Sequence, residues 1–248
     1  MPREQPHPGS KEIRLLALLA DVQRLLADAL NSMGGKSAQA EASYLLWASI
    51  SVNRAAEGYL WLRKSGRVAA SKLLVRPALE PTFWAIAVIK KPGFLFRKLY
   101  TELEEDRKMF PNNASVLAAR KQTLEAMKRA AMKVRPNHPV ECKTVRVRDA
   151  ADAAGFSKVY DGAYRTYCKF THGAIQAVQG HLDGATDETD TAVVVWCVLK
   201  TLDHLRGHTP AQVPGLEQFW KRLESAAPAA GPAPGKEQKP GPGIDRTT

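Results

Sequence analysis

The chain has 248 residues, of which 44% are apolar and 7% aromatic, and its formal net charge is +11. This length can bury one substantial core, and the abundance of Ala and Leu favours helices. The cysteines Cys142, Cys168 and Cys197 lie far apart without a C-x-x-C pair, which indicates reduced thiols rather than disulfides or a zinc site. The polar N-terminus lacks a signal-peptide pattern and the longest uncharged apolar run, residues 82–89, is too short to cross a bilayer, so we expect a cytoplasmic protein without a membrane partner.

Apolar periodicity and turn signals predict one all-α domain, bundle-like, of eight or nine helices. In chain order the predicted helices cover residues 12–30, 37–63, 68–91, 94–109, 115–134, 147–154, 157–179, 186–205 and 216–225. Pro77 and Pro81 predict a kink or break in the third helix, and Ser157 is expected to cap the seventh. The domain is predicted to span residues 12–225, between a flexible N-terminus (1–11) and a disordered tail rich in Pro, Gly and Ala (226–248).

Basic residues are concentrated in two parts of the chain. Between Arg107 and Arg148, 11 Lys and Arg residues stand against two acids, a local balance of +9, and between Arg54 and Lys98 the balance is +8. This distribution suggests a basic face that attracts nucleic-acid phosphates. The candidate nucleic-acid-binding residues are Lys121, Lys128, Arg135 and Lys169. The alternative is that these charged side chains only keep the helix surfaces hydrated and bind no nucleic acid.

Arg165 and His172 are the candidate catalytic pair. Seven residues are nearly two helical turns, so both side chains project from the same face, about 10 Å apart along the axis. A permanent cation and a group that exchanges a proton near neutral pH are the minimum set for phosphoryl chemistry without a metal. We therefore expect no metal and no cofactor. The competing interpretation is that Arg165 forms a surface ion pair with Asp161, four residues earlier.

Arg76 and Glu80 are predicted to form an ion pair at i and i+4 on an otherwise apolar helix face. Because a buried charged pair needs partners, we expect both to pack against the helix that carries His172 and to form a polar cluster in the core, supported by Tyr164 and Thr171. A structural role for this cluster is favoured over chemistry. The acidic residues Asp183, Asp187, Glu188 and Asp190 are expected to cap the following helix rather than to bind calcium.

Two segments resemble the signatures of a bacterial family of helical proteins with no assigned function. The first, residues 73–80, fits an L-L-x-R-x-x-x-E helix. The second comprises residues 150–156, which contain an A-x-x-x-G pattern, followed by Tyr160, Tyr164, Arg165, Thr171 and His172. The resemblance spans about Leu45 to Leu205.

That family's helical build and arginine-to-histidine spacing are similar to the HEPN group, whose R-x(4–6)-H motif marks metal-independent ribonucleases that act as dimers. The resemblance implies RNA as a partner, a homodimer, and catalysis by Arg165 and His172. The chain departs from the HEPN pattern at Thr166, where active members usually carry Asn, Asp or His, and Pro77 interrupts the first signature.

Two alternatives stay open. The protein could be a non-catalytic helical scaffold whose polar cluster only holds helices together. Residues 147–169 also resemble a DNA-binding helix-turn-helix, with a small residue at Ala151 and a tight turn at Gly155. Asp161 argues against the second alternative, because that motif needs an apolar contact at this position.

Overall fold

A computed structural model describes residues 10–33, 40–91, 93–134, 142–171, 187–208 and 213–226. The helices are α1 (Ser10–Ser32), α2 (Ala40–Lys64), α3 (Val68–Lys72), α4 (Val75–Lys90), α5 (Phe94–Met109), α6 (Ala114–Val134), α7 (Val147–Ala154), α8 (residues 157–171), α9 (Asp187–His208) and α10 (Leu216–Ala226). The described residues contain no strand, which confirms the all-α prediction. Residues 1–9 and 227–248, most of the predicted flexible N-terminus and tail, lie outside the described part.

Helix α4 is the centre of the fold. Residues 82–88 are all buried, and α2, α7 and α9 pack around α4. Helix α1 packs on α2 and α9, while α10 closes the far side against α1 and α9. A helix that is apolar on every side must be enclosed by others, so the run at residues 82–89 becomes the core helix. Within the described helices, none combines the length and hydropathy that a membrane span requires.

The predicted break in the third helix is confirmed, but it precedes both prolines. Helix α3 ends at Lys72 and α4 begins at Val75, which places Pro77 in the first turn of α4. The first N–H groups of a helix have no intrahelical acceptor, so a proline is tolerated there. Pro81 lies inside α4 without ending it.

Helix α8 carries the candidate catalytic arginine and has an irregular first half. A left-handed Gly155 (φ 84°) ends α7, and Phe156 is the N-cap of α8. The prediction that Ser157 is the cap is therefore wrong, since Ser157 is already the first helical residue. The helix then passes through a π-helical segment, Tyr160–Tyr164, and continues as a regular α-helix over Arg165–Thr171. Its predicted continuation to residue 179 lies outside the described residues.

A buried polar network ties α8 to three other helices. Lys72 Nζ lies 3.3 Å from Asp190 Oδ2, and the two side chains are only 1% and 2% exposed. The Tyr167 hydroxyl donates a hydrogen bond to Asp190 Oδ1. Nearby, the hydroxyls of Tyr59 and Thr191 are 2.9 Å apart. These contacts join α2, α3, α8 and α9.

This network corrects two predictions from the sequence. Asp190 was expected to cap α9, but it is buried and faces Lys72. Lys72 contributes to the positive balance of residues 54–98, yet it does not belong to a basic surface. Arg63 is likewise buried and pairs with Glu12 of α1. The basic face is therefore smaller than the charge count of that segment indicates.

Removal of one partner of the Lys72–Asp190 pair should destabilise the fold strongly. Lys72→Met leaves the Asp190 carboxylate buried without its cation, and breaking such a pair costs about 3–5 kcal/mol of unfolding free energy. Chemical denaturation measures the loss. The matched control is Arg206→Ala, which removes the exposed 3.5 Å pair with Glu217 and should cost no more than about 1 kcal/mol. Equal losses for the two variants would contradict the assignment.

Candidate functional site

Arg165 lies on the surface of α8. Its side chain is 66% exposed, and its Nη1 lies 4.0 Å from Asp161 Oδ1. Asp161 is already engaged by Arg148 of α7, whose two terminal nitrogens donate to the carboxylate at 2.8 and 3.3 Å. The predicted ion pair with Asp161 therefore exists only as a long contact. Arg148 also lies 3.7 Å from Asp152, so these two arginines are balanced by two carboxylates, and Arg165 keeps only the long contact with Asp161.

The two faces of α8 differ sharply in character. Tyr164 and Tyr167 are buried against the core, whereas Lys158, Arg165 and Lys169 are exposed. The spacing of four residues from Arg165 to Lys169 places both on the same side of the regular helical segment. The outer face of α8 is thus a cationic surface, and burial of the two tyrosines on the opposite side fixes its orientation.

Arg76, Glu80 and Tyr164 form the predicted cluster, at the edge of the core. Arg76 Nε lies 3.6 Å from Glu80 Oε2, the Tyr164 hydroxyl donates to the same oxygen at 3.2 Å, and the Arg76 guanidinium lies 5.6 Å from the centre of the Tyr164 ring. The Arg76 and Glu80 side chains are 26% and 33% exposed, so their expected place in the core is wrong. Half-burial leaves both ions partly hydrated and lowers the cost of keeping them charged.

The electrostatics of the cluster keep Tyr164 neutral. Burial, followed by the nearby Glu80 carboxylate, raises the pKa of Tyr164, and the Arg76 guanidinium offsets only part of this rise. Phe83 and Tyr160 pack against the Tyr164 ring, with ring centres 5.9 and 4.9 Å away. Tyr164 therefore acts as a fixed hydrogen-bond donor that joins α8 to α4.

The remaining predicted site residues are distributed over other elements. Lys121 is exposed and Lys128 half-buried on α6, which packs against α5, whereas Lys169 lies on α8. His172, Arg135 and the side chain of Thr171 lie outside the described residues. Thr166, at the position where the HEPN pattern differs, donates its hydroxyl to the Gly162 carbonyl at 2.8 Å. This bond fastens Thr166 to the π-helical segment.

Sequence reasoning missed Arg148 and the buried network. The carboxylate of Asp161 is thirteen residues from Arg148 and comes within reach only because the turn at Gly155 folds α8 back towards α7. A single sequence offers no signal for such a contact. Among the described residues, no group of three or more His, Cys, Asp or Glu side chains is arranged to hold a metal ion.

Comparison with known protein families identifies a match over more than half of the chain. The model of a family described as a family of unknown function (DUF5677) matches residues 43–190. This range begins in α2 and ends at Asp190, so it contains the cluster, Arg165 and both members of the Lys72–Asp190 pair. The matched range begins at residue 43, close to the expected start at Leu45, and ends at residue 190 rather than at Leu205. No curated protein and no solved structure matches the chain significantly.

Tyr164→Phe should change the dependence of stability on alkaline pH. A raised pKa in the folded state favours the neutral phenol, so its stabilising contribution is complete below the ordinary tyrosine pKa of about 10 and is lost as pH rises above it. At neutral pH the variant should lose about 1 kcal/mol with the hydrogen bond to Glu80. Above about pH 10, the ordinary tyrosine pKa, the difference in unfolding free energy between wild type and variant should shrink. Denaturation across a pH series measures it, and a constant gap would contradict the burial of the phenol.

Proposed function

Because the chain belongs to the DUF5677 family of unknown function, and the matched range includes Arg165 and His172, we propose that it is a HEPN-like factor that binds RNA on the outer face of α8 and cleaves it without a metal ion. The proposal combines the resemblance of these two residues to the HEPN motif with the geometry of the helix that carries Arg165.

The exposed guanidinium of Arg165, which has only a 4.0 Å contact with a carboxylate, is the observation that carries the proposal. Its carboxylate neighbour Asp161 is held more closely by Arg148, and Lys169 follows one turn later on an exposed position. Arg165 is accessible to a phosphate, which its planar guanidinium can bind through two hydrogen bonds.

The chemistry follows from the two groups. His172 takes the proton of the 2′-hydroxyl, or protonates the leaving 5′-oxygen, as the 2′-oxygen attacks phosphorus and the bond from phosphorus to the 5′-oxygen breaks. Arg165 stabilises the charge that develops on the equatorial phosphate oxygens. Each chain contributes one histidine, His172, to the site, so the complementary acid or base comes from the second chain of a dimer. Arg76, Glu80 and Tyr164 act as a support that holds α8 in place.

A non-catalytic scaffold is the second candidate, and the cluster itself favours it. Arg76, Glu80 and Tyr164 satisfy one another across α4 and α8, which is the arrangement expected of a purely architectural network. DNA binding by a helix-turn-helix is disfavoured. Asp161 is exposed and paired with Arg148, and the π-helical segment interrupts the helix that would enter the major groove.

RNA cleavage in the presence of a chelator tests the enzymatic proposal. Wild-type protein should cleave a mixed RNA substrate, and Arg165→Ala and His172→Ala should each lower the rate by about 100-fold or more, since each removes a group that acts in the transition state. Arg24→Ala, an exposed arginine on α1, is the matched control and should cleave like wild type.

Three outcomes would remove the enzymatic proposal. These are no cleavage by any protein, equal cleavage by wild type and both variants, and loss of activity in the Arg24→Ala control to the same degree. Circular dichroism of each variant separates a catalytic defect from a folding defect.

Replacement of the α6 lysines tests whether that helix extends the RNA-binding surface. The double variant Lys121→Ala/Lys128→Ala should bind labelled single-stranded RNA more weakly. The slope of log affinity against log salt should become shallower by roughly 1.4, because each lost phosphate contact contributes roughly 0.7. Fluorescence anisotropy over a salt series measures both quantities. The control Arg24→Ala/Lys221→Ala removes the same charge from α1 and α10, and an identical loss there would show that only net charge matters.

A further inference from the structure

The outer face of α2 exposes large apolar side chains outside the core, where Trp47 contacts Tyr44, at 5.6 Å between ring centres, and Arg67 lies 5.6 Å from the centre of the Trp61 ring. Trp47, Ile50 and Trp61 are 57%, 36% and 61% exposed, although the opposite face of the same helix packs against α1, α4 and α9. Isolated exposed apolar residues are ordinary, but a line of them that includes two tryptophans marks an interaction surface.

These residues follow a regular spacing along one side of the helix. The set, here called the α2 stripe, consists of Trp47, Ile50, Arg54, Glu57, Trp61 and Lys64. Successive members are separated alternately by three and four residues, which is the spacing of the a and d positions in a coiled-coil seam. From Trp47 to Trp61 the stripe is about 21 Å long. It is therefore suited to another helix lying alongside.

We propose that the α2 stripe pairs with the α2 stripe of a second copy of this chain, in antiparallel orientation, about a twofold axis that passes between residues 54 and 57. In a symmetric antiparallel pair, residues lie opposite each other when their numbers have a constant sum. Setting Arg54 opposite Glu57 then sets Ile50 opposite Trp61, and Trp47 opposite Lys64. Each of these opposing pairs can interact favourably: an arginine with a glutamate, an isoleucine with a tryptophan, and a tryptophan with a lysine.

Charge complementarity selects this occupant and this orientation. Arg54 and Glu57 are exposed, and neither forms an ion pair with another residue in the described part of the chain. The antiparallel arrangement gives two Arg54–Glu57 pairs, one on each side of the axis. A parallel arrangement would instead set each Arg54 opposite its equivalent, and like charges at an interface are strongly unfavourable. Trp47 opposite a lysine adds a cation–π contact.

The available surface fits a reversible dimer. Tryptophan side chains can bury 150–250 Å² each, so the exposed parts of the four tryptophans and two isoleucines of the pair supply roughly 600 Å². The charged residues and flanking positions bring the total towards the lower limit of about 1,000 Å² for a specific interface. The inference does not use Arg165 or His172, and it holds whether or not the protein cleaves RNA.

Charge reversal with restoration tests the proposal on the full-length protein. Analytical ultracentrifugation should show a concentration-dependent dimer for wild type. Arg54→Glu alone and Glu57→Arg alone should each raise the dimer dissociation constant at least about tenfold, because each places like charges opposite each other. The double variant R54E/E57R restores opposite charges and should bring the constant back near the wild-type value. Trp61→Ala should also weaken the dimer.

The measured dissociation constants of wild type and variants decide whether the α2 stripe forms the dimer. Dimerisation that is lost in both single reversals and recovered in the double variant supports the proposal. A wild-type protein that stays monomeric at the highest attainable concentration overturns it, as does a dimer that survives both Arg54→Glu and Trp61→Ala. Thermal melts of the variants show whether each is folded, and the double variant controls for any general effect of changing these two positions.

Discussion

The buried ion pair between Lys72 and Asp190 is the constraint on which the rest of the structure depends. An uncompensated charge at either position would be expensive in the core, so the two helices that carry them must meet in one register. Tyr167 of α8 donates to the same carboxylate, and this bond, together with the buried Tyr164, determines which side of α8 faces inward. Arg165, two residues earlier, then faces solvent. The position of the candidate site thus follows from the chemistry of the core.

Much of the fold was predictable because it depends on local signals. The boundaries of α5 and α7 agree with the predicted ones, since Gly93 and Gly155 in left-handed conformations mark a start and an end. The buried bases were not predictable. Lys72 lies among basic residues and resembles a surface lysine in the sequence, because its partner Asp190 is far away in the chain. Charge counts cannot distinguish a paired internal lysine from one exposed to solvent.

In the candidate site, contacts within a helix were predictable, whereas burial and contacts between helices were not. Arg76 and Glu80 were expected to pair and to pack on the helix of Tyr164, and the structure confirms both contacts, because spacing within a helix fixes them. Their half-burial was missed, since depth depends on how far neighbouring helices extend. The Arg148–Asp161 contact and the π-helical segment arise from the turn between two helices. Both change the surroundings of Arg165, and neither has a signature in the sequence.

Native-state hydrogen exchange of α8 tests the central claim most directly. If the buried network holds this helix, the amides of residues 167–169 in wild-type protein should exchange only through openings with a free energy close to that of global unfolding. In Tyr167→Phe that free energy should fall by about 1–3 kcal/mol, while the amides of α10 change less. Rapid exchange of α8 in wild type, or equal changes in α8 and α10, would contradict the account.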